Sequence, residues 1–198
     1  MAQLSYPPIL LDMVEEHFEE LDFLWEQREG VLFAPDWNLE ELAELEERAE
    51  AHLDGLRLAE GHAVDIARPA LAGEEVFAAT AATFVFMETG VEELAQEVLA
   101  AFKGAEAPET RDGIRIGLRH SKIDSIRDAL LELAAGEDDA LAAAAADVLV
   151  FQRVEVSDLE RLRAAERLLR RAGSKGALHK KTISRTVSRL SKLVQRTR

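Results

Sequence analysis

Cysteine is absent from the 198-residue chain. This excludes disulfide bonds, thiolate zinc sites and cysteine nucleophiles, and it fits a reducing cytoplasm, where we expect the protein to reside. Proline and glycine are scarce, at 5 and 11 residues, so little in the chain interrupts a helix. No apolar run approaches the roughly 20 residues that span a bilayer. The N-terminal residues also lack a basic and then apolar leader, so we expect neither a transmembrane segment nor a secretory signal.

The composition that remains is typical of a charged helical protein. Hydrophobic residues make up 47% and charged residues 31%, and Ala, Leu and Glu, which are strong helix formers, dominate. The net charge of −14 is unevenly distributed. Residues 161–198 contain 13 Lys and Arg and one acidic residue, a net of +12, whereas residues 1–160 contain 11 Lys and Arg and 37 acidic residues, a net of −26. Such a chain can attract basic partners with its body and anionic ones with its tail.

Two long helices are predicted in residues 1–60. Apolar residues recur at three- and four-residue steps from Ile9 to Glu29, and Gly30 is a candidate C-cap. Asn38 can cap a second helix that runs to about Ala59, and the Glu three residues after it completes a capping box. The second helix has an apolar face, and acidic residues occupy much of the rest. We expect that apolar face to contain Leu39, Leu42, Leu45, Ala49, Leu53 and Leu56.

Shorter helices in residues 61–172 are predicted to repeat. Residues 77–86 and 141–150 match in character over an offset of 64, and half that offset locates a degenerate copy at 109–118, which carries Gly113 and Gly117. Each copy is followed by a second amphipathic segment, at 91–103, 123–135 and 157–171. A repeat of about 32 residues with two helices is the signature of an α-solenoid. The predicted fold is therefore all-α, a short solenoid of helical hairpins behind a longer N-terminal helical pair.

Residues 173–198 are predicted to form a basic C-terminal helix or cap. An apolar stripe runs along this segment, and its basic residues lie mostly off the stripe. The segment could cap the solenoid, lie on an anionic membrane or contact nucleic acid, although it has no aromatic residue for base stacking. The basic residues that we select as candidates are Lys180, Lys181, Arg185, Arg189, Lys192 and Arg196.

The N-terminal pair carries three distinctive stretches. They are His17-Phe-Glu-Glu-Leu-Asp-Phe-Leu-Trp25, Ala34-Pro-Asp-Trp-Asn-Leu39 and Glu47-Arg-Ala-Glu-Ala-His-Leu-Asp-Gly-Leu-Arg57. Together they resemble the N-terminal region of an uncharacterised family of HEAT-like repeat proteins encoded within bacterial type VI secretion gene clusters. The resemblance implies a helical repeat fold, a bacterial origin and a link to effector delivery. It implies no catalytic residues.

No constellation of residues in the sequence indicates catalysis or a cofactor. The five histidines have no zinc-binding spacing, and there is no glycine-rich phosphate loop or Gly-x-Ser-x-Gly elbow. We expect the two tryptophans, Trp25 and Trp37, to pack in the core. A hydrogen-bond cluster that links the long helices is the preferred interpretation of His52, Asp54 and Arg57. The candidate protein-binding residues are Trp37, Glu40, Glu44, Glu47, His52, Asp54 and Arg57.

The sequence therefore predicts a protein that binds another macromolecule and is not an enzyme. The first hypothesis is an adaptor or chaperone-like scaffold for a type VI secretion effector, with acidic residues that orient the partner. One alternative is an immunity protein that occludes a toxin, for which an acidic surface speeds association with a cationic target. The other alternative is a nucleic-acid-binding module that uses the basic tail, with an affinity that falls steeply with salt.

Overall fold

A computed structural model describes residues 11–32 and 34–153, and every regular element in this part of the chain is a helix. The chain divides into two compact units between Ile123 and Asp124. The predicted helix at 157–171, the basic tail and residues 1–10 lie outside the described residues. Within them the predicted all-α fold class is confirmed. Helix bounds are α1 Leu11–Val31, α2 Leu39–Ala59, α3 Gly61–Ala67, α4 Val76–Glu88, α5 Glu92–Gly104, α6 Pro108–His120, α7 Arg127–Ala134 and α8 Asp139–Phe151, with 3₁₀ turns at Arg68–Ala72 and Asp124–Ile126.

The long helices α1 and α2 pack against each other. The side chain of Asn38 accepts hydrogen bonds from the backbone N–H groups of Glu40 and Glu41, and the Glu41 side chain accepts one from the backbone N–H of Asn38. The predicted capping box is therefore confirmed. The prediction that Gly30 ends α1 is wrong, because the helix continues through Gly30 to Val31 and Gly30 does not adopt the positive φ of a left-handed C-cap.

Four of the apolar residues predicted on one face of α2, Leu45, Ala49, Leu53 and Leu56, are buried. Leu39 departs from the prediction and is 85% exposed. It is the first residue of α2, next to the exposed cap, where the chain has only just entered the helix. The apolar pattern of α2 therefore gives a buried face from its second turn onward.

Helix α4 is the centre of the first unit. Every residue from Ala79 to Met87 is buried, and α4 packs against α1, α3, α5 and α6. The two buried threonines on α4 have backbone oxygens as acceptors: the Thr80 hydroxyl lies 3.0 Å from those of Val76 and of Gly113 on α6 and can donate to either, and Thr83 donates to that of Ala79. A helix that is apolar on all sides must be surrounded by other elements, and this accounts for the position of α4.

Two glycines let α6 approach α4 closely. A Cβ atom added to Gly113 would lie 2.1 Å from the backbone oxygen of Val76, and one added to Gly117 would lie 2.5 Å from Cβ of Thr83. Side chains at these two positions would hold the helices apart. The glycines that make the middle copy of the repeat look degenerate in sequence therefore have a packing role in the structure.

The helical lengths follow the predicted spacing. Helices α4 and α6 each have 13 residues and begin 32 residues apart, at Val76 and Pro108. In the second unit, α7 packs against α8, which also has 13 residues, and the side chain of Asp138 caps α8 by accepting from the backbone N–H groups of Ala140 and Leu141. The order of these helices along the chain matches the predicted positions, whereas their packing as a solenoid stays a prediction.

Candidate functional site

A cavity of about 300 Å³ opens between α1, α2 and α4, with His120 at the end of α6 on its edge. Its apolar lining includes the buried side chains of Leu21, Leu24 and Leu45. The half-buried Trp25 also lines it, so this tryptophan contributes to a surface cavity as well as to packing. We refer to this space as the Trp25 cavity.

Trp25 is enclosed by one cationic and two aromatic side chains. Its ring centroid lies 4.7 Å from that of Phe84, 4.9 Å from that of His120 and 4.7 Å from the guanidinium carbon of Arg28. Burial, Arg28 and Arg119 together lower the pKa of His120 to about 4, although part of the residue is exposed. His120 is therefore neutral at pH 7, and Arg28 is the cation beside the tryptophan ring.

Arg28 is held over Trp25 by carboxylates. Its Nε donates to Glu46 on α2 at 2.8 Å, and its Nη1 donates to the neighbouring Glu29 at 2.8 Å. The guanidinium therefore joins α1 to α2 at one side of the cavity while it stacks on the tryptophan. Such a combination of aromatic ring and carboxylate suits a planar delocalised cation.

Arg57 lies at the opposite end of the Trp25 cavity and joins α2 to α4. Its Nη1 donates to Glu50 at 2.6 Å and to Asp54 at 2.5 Å, and its Nη2 donates to Glu88 of α4 at 3.0 Å. Partial burial lowers the pKa of Arg57, but these hydrogen bonds outweigh that effect and raise the pKa above its ordinary value. Arg57 is thus a permanent cation committed to three carboxylates.

A second cavity of about 460 Å³ lies on the other side of the Arg57–Glu88 ion pair. Apolar residues of α2, α3, α4 and α5 line it, among them Leu56, Val64 and Val85. The two cavities share Leu53, Arg57 and Glu88 as lining residues. They therefore adjoin each other along α2 at the ion pair. We call the two cavities together the α2 groove.

The α2 groove is acidic at its rim. Four carboxylates, those of Glu46, Glu50, Glu60 and Glu88, line it against the two guanidinium groups of Arg28 and Arg57, a formal balance of −2. The solvent-facing side of α2 adds further negative charge, because the predicted candidates Glu40, Glu44 and Glu47 are exposed there, although they do not line the groove. The groove combines an apolar floor with a negative potential, which suit a basic and partly apolar partner.

His52 belongs to a separate cluster at the α1–α2 crossing. Its Nδ1 lies 3.1 Å from Nδ1 of His17, with the rings in an edge-on arrangement at 5.2 Å. The His17 ring fills the space next to Gly55, where an added Cβ would lie 2.6 Å from it. Burial and then His17 lower the pKa of His52. One Nδ1 can donate its hydrogen to the other only where the second ring carries its hydrogen on Nε2, so the contact depends on the tautomers of both rings.

The structure distributes the predicted candidates over three places. Arg57 and Asp54 lie at the α2 groove, whereas His52 contacts His17 elsewhere, so the predicted cluster is in fact two clusters that link α2 to different helices. Trp37 is half-buried in the linker before α2, with its backbone N–H bonded to the oxygen of Ala34. The candidates of the basic tail lie outside the described residues: Lys180, Lys181, Arg185, Arg189, Lys192 and Arg196.

Sequence reasoning missed most of the residues that form the Trp25 cavity. One local signal was present, because Trp25 and Arg28 are three residues apart and hence on the same face of α1. The contacts of Arg57 with Glu88 and of Trp25 with Phe84 join residues far apart in the chain, and no local pattern identifies them.

Comparisons with protein-family models, with curated proteins and with solved structures give no match. Among residues 11–32 and 34–153, no group of three or more His, Asp or Glu side chains is placed to hold a metal ion. In the same part of the chain, no helix is long and apolar enough to cross a membrane. The resemblance to HEAT-like proteins of secretion gene clusters therefore stays a prediction.

Proposed function

We propose that this chain is a non-catalytic protein-binding scaffold, and that its α2 groove holds a basic, partly apolar segment of another protein. The observation that carries the proposal is the groove itself, which combines an apolar floor with a rim of net negative charge. Protein interfaces pair an apolar centre with a polar rim in the same way. Grooves between helices commonly receive an amphipathic helix from a partner.

The acidic face of α2 supports the same choice of partner. Glu40, Glu44 and Glu47 are exposed along the helix that forms one wall of the groove. Complementary charge on the surface around a groove speeds encounter and rejects partners of the same sign, while adding little to affinity at high salt. The expected partner is therefore basic where it meets α2.

The resemblance of residues 9–57 favours a secretion effector, or another protein of a secretion gene cluster, as this partner. The stretches that carry the resemblance correspond largely to α1, α2 and the linker between them, and α1 and α2 build much of the groove. We propose an adaptor or chaperone role, in which HEAT-like hairpins form a short solenoid and present the groove. The repeat spacing of α4 and α6 supports this architecture.

The test compares capture by three forms of the full-length protein. These are the wild type, a variant with Glu40, Glu44 and Glu47 changed to Gln, and a control with Glu106, Glu109 and Glu132 changed to Gln, which removes the same charge from exposed positions elsewhere. A protein held by the wild type and the control but lost from the first variant is then purified. Its association rate with the wild type is measured from 50 to 500 mM salt, a range over which the Debye length falls by about a factor of three.

We expect the first variant to associate about tenfold more slowly at low salt, and the difference to shrink as salt rises. The control should match the wild type. The proposal would be overturned if both variants associated equally slowly, or if the captured protein bound the first variant as fast as the wild type. If the partner is an active toxin, its activity in the complex separates an adaptor, which leaves that activity intact, from an immunity protein, which abolishes it.

A further inference from the structure

We infer that the Trp25 cavity is an anchor site for one arginine side chain of the partner. This inference rests on the proposed function, because it names the group that would enter the groove. At about 300 Å³ the cavity is at the lower limit of small-molecule sites. A dry cavity of about 150 Å³ is large enough for a benzene ring. The space therefore suits a single long side chain better than a cofactor or a whole peptide.

The charge around the cavity favours a cation over an anion. Two guanidinium groups, Arg28 and Arg57, are each already hydrogen-bonded to carboxylates. Three carboxylates line the cavity against these two groups, those of Glu46, Glu50 and Glu88, so the lining has a formal charge of −1. Glu29 and Asp54, which bond the same guanidinium groups, add negative charge beside it. An anion would meet this surplus and would have to compete for occupied guanidinium groups. A cation meets the surplus favourably.

The carboxylates at the mouth retain capacity to accept more hydrogen bonds. Glu46 accepts from Arg28 and Glu50 accepts from Arg57, one bond each. An ionised carboxylate offers about four acceptor sites. Both side chains are also partly exposed, at 47% and 59%. A guanidinium that enters from solvent can therefore be bonded without displacing either internal arginine.

Arg28 shows that this environment holds a guanidinium. Its carbon lies 4.7 Å from the centroid of Trp25 while its Nε donates to Glu46. The half-buried ring of Trp25 provides an apolar surface for the methylene stem of a long side chain. Arginine suits the site better than lysine because its planar head stacks on rings and bonds two acceptors at once.

The inference is tested with a small probe and the full-length chain. Trp25 and Trp37 are the two tryptophans of the chain, so Trp37→Phe leaves Trp25 as a single fluorescent reporter. N-acetyl-L-arginine methylamide is titrated into this protein, and N-acetyl-L-citrulline methylamide, which has the same shape without the charge, is titrated in parallel. We expect the arginine probe to give a saturable fluorescence change with a dissociation constant of about 1 mM, because so small a probe makes few contacts. The citrulline probe should bind at least tenfold more weakly.

Two further variants in the same background locate the bound probe. Glu50→Gln removes a carboxylate from the mouth of the cavity and should weaken binding about fivefold. Glu106→Gln removes the same charge from an exposed position that does not line the cavity and should leave the affinity unchanged. Circular dichroism checks that both variants are folded. Equal affinity for the two probes, absence of saturation, or equal effects of the two substitutions would overturn the inference.

The two proposals fail in different ways. The probe titration uses no partner protein and reports on the cavity, which Glu40, Glu44 and Glu47 do not line. Saturable, charge-selective probe binding would therefore support the anchor site even if no captured protein depended on the acidic face of α2. A partner that depended on that face, together with a cavity that did not discriminate arginine from citrulline, would overturn the anchor site and leave the scaffold proposal standing.

Discussion

The contact between α4 and α6 makes a substitution at Gly113 the sharpest test of the fold. In Gly113→Ala the new Cβ would lie 2.1 Å from the backbone oxygen of Val76 and 2.8 Å from Cβ of Ala79. Real Cβ contacts are essentially never under 3.0 Å, so one helix would have to move by about 1 Å. The nearest obstacle is backbone, which cannot rotate away as the end of a flexible side chain can.

The magnitude follows from opposing effects. Replacing glycine by alanine inside a helix stabilises it by about 1 kcal/mol through backbone entropy. Overpacking of a tight interface costs about 1–3 kcal/mol, and weakening the bond from Thr80 to the oxygen of Gly113 adds about 1 kcal/mol. We therefore expect Gly113→Ala to lower the free energy of unfolding by about 1–3 kcal/mol, with the steric effect winning.

Gly30→Ala is the matched control, because Gly30 is also helical and has nothing within 4 Å of the point that a Cβ atom would occupy. It should raise the free energy of unfolding by about 0.5–1 kcal/mol through propensity alone. Urea titration followed by far-ultraviolet circular dichroism measures both variants. If Gly113→Ala proves as stable as Gly30→Ala, the close approach of α4 and α6 is refuted.

Three further substitutions test local features of the first unit. Asn38→Ala removes the cap of α2 and should lower the free energy of unfolding by about 1 kcal/mol, and an unchanged urea midpoint would contradict the capping box. Burial, Glu26 and Glu75 raise the pKa of Asp22 from 3.8 to about 6, so the folded state binds this proton more tightly and stability rises as the pH falls through 6 towards 3.8. Asp22→Asn should remove that rise and, after discounting for solvent at a half-buried site, stabilise the protein by about 1 kcal/mol at pH 7; a variant with an unaltered pH profile would argue against it. Burial lowers the pKa of His52 below its ordinary 6.5, so neutral His52 contributes fully to the stability of the fold above pH 6.5, and this contribution is lost as the pH falls below that value. His52→Gln should therefore reduce the loss of stability on acidification, which urea midpoints between pH 7 and 5 would measure.

Periodic features of the fold could be predicted because they depend on local physics. Asn38 and Glu41 satisfy the backbone of their own helix start, so their spacing alone identifies the capping box. The small and apolar residues of 77–86 indicate one copy of the repeat, and the structure has a buried helix there, α4. The 32-residue spacing likewise predicts where α6 falls, because each hairpin repeats one length of chain.

The structural roles of three glycines could not be predicted from the sequence. At Gly30 the sequence favours a helix end, yet the structure keeps the residue inside α1. At Gly113 and Gly117 the sequence suggests a weakened repeat, yet the glycines permit the tightest helix contact of the first unit. The intrinsic cost of glycine is the same at all three positions. What differs is the neighbour across the interface, which no local pattern encodes.

The negative charge of the candidate site could be predicted from the sequence, whereas the contacts between its side chains could not. The acidic excess of α2 is visible in the sequence, and Arg57 was a candidate because of the motif around it. Its partner Glu88 lies 31 residues away on another helix, and the division of the groove into two cavities follows from that pairing. Long-range ion pairs depend on the packing of whole helices, so they emerge only once α1, α2 and α4 are placed.

The two walls of the α2 groove are held by interactions of different strength. On one side, Phe84 and Glu88 belong to α4, which is fixed against α6 through backbone contacts at Gly113 and Gly117. On the other side, α2 is joined to α4 through the Arg57–Glu88 ion pair, whose side chains are 34% and 22% exposed. Partly exposed pairs contribute only about 0–1 kcal/mol, whereas separating a glycine-mediated helix contact disrupts packed core. The α4 wall of the groove is therefore held more firmly than the ion pair that joins it to α2.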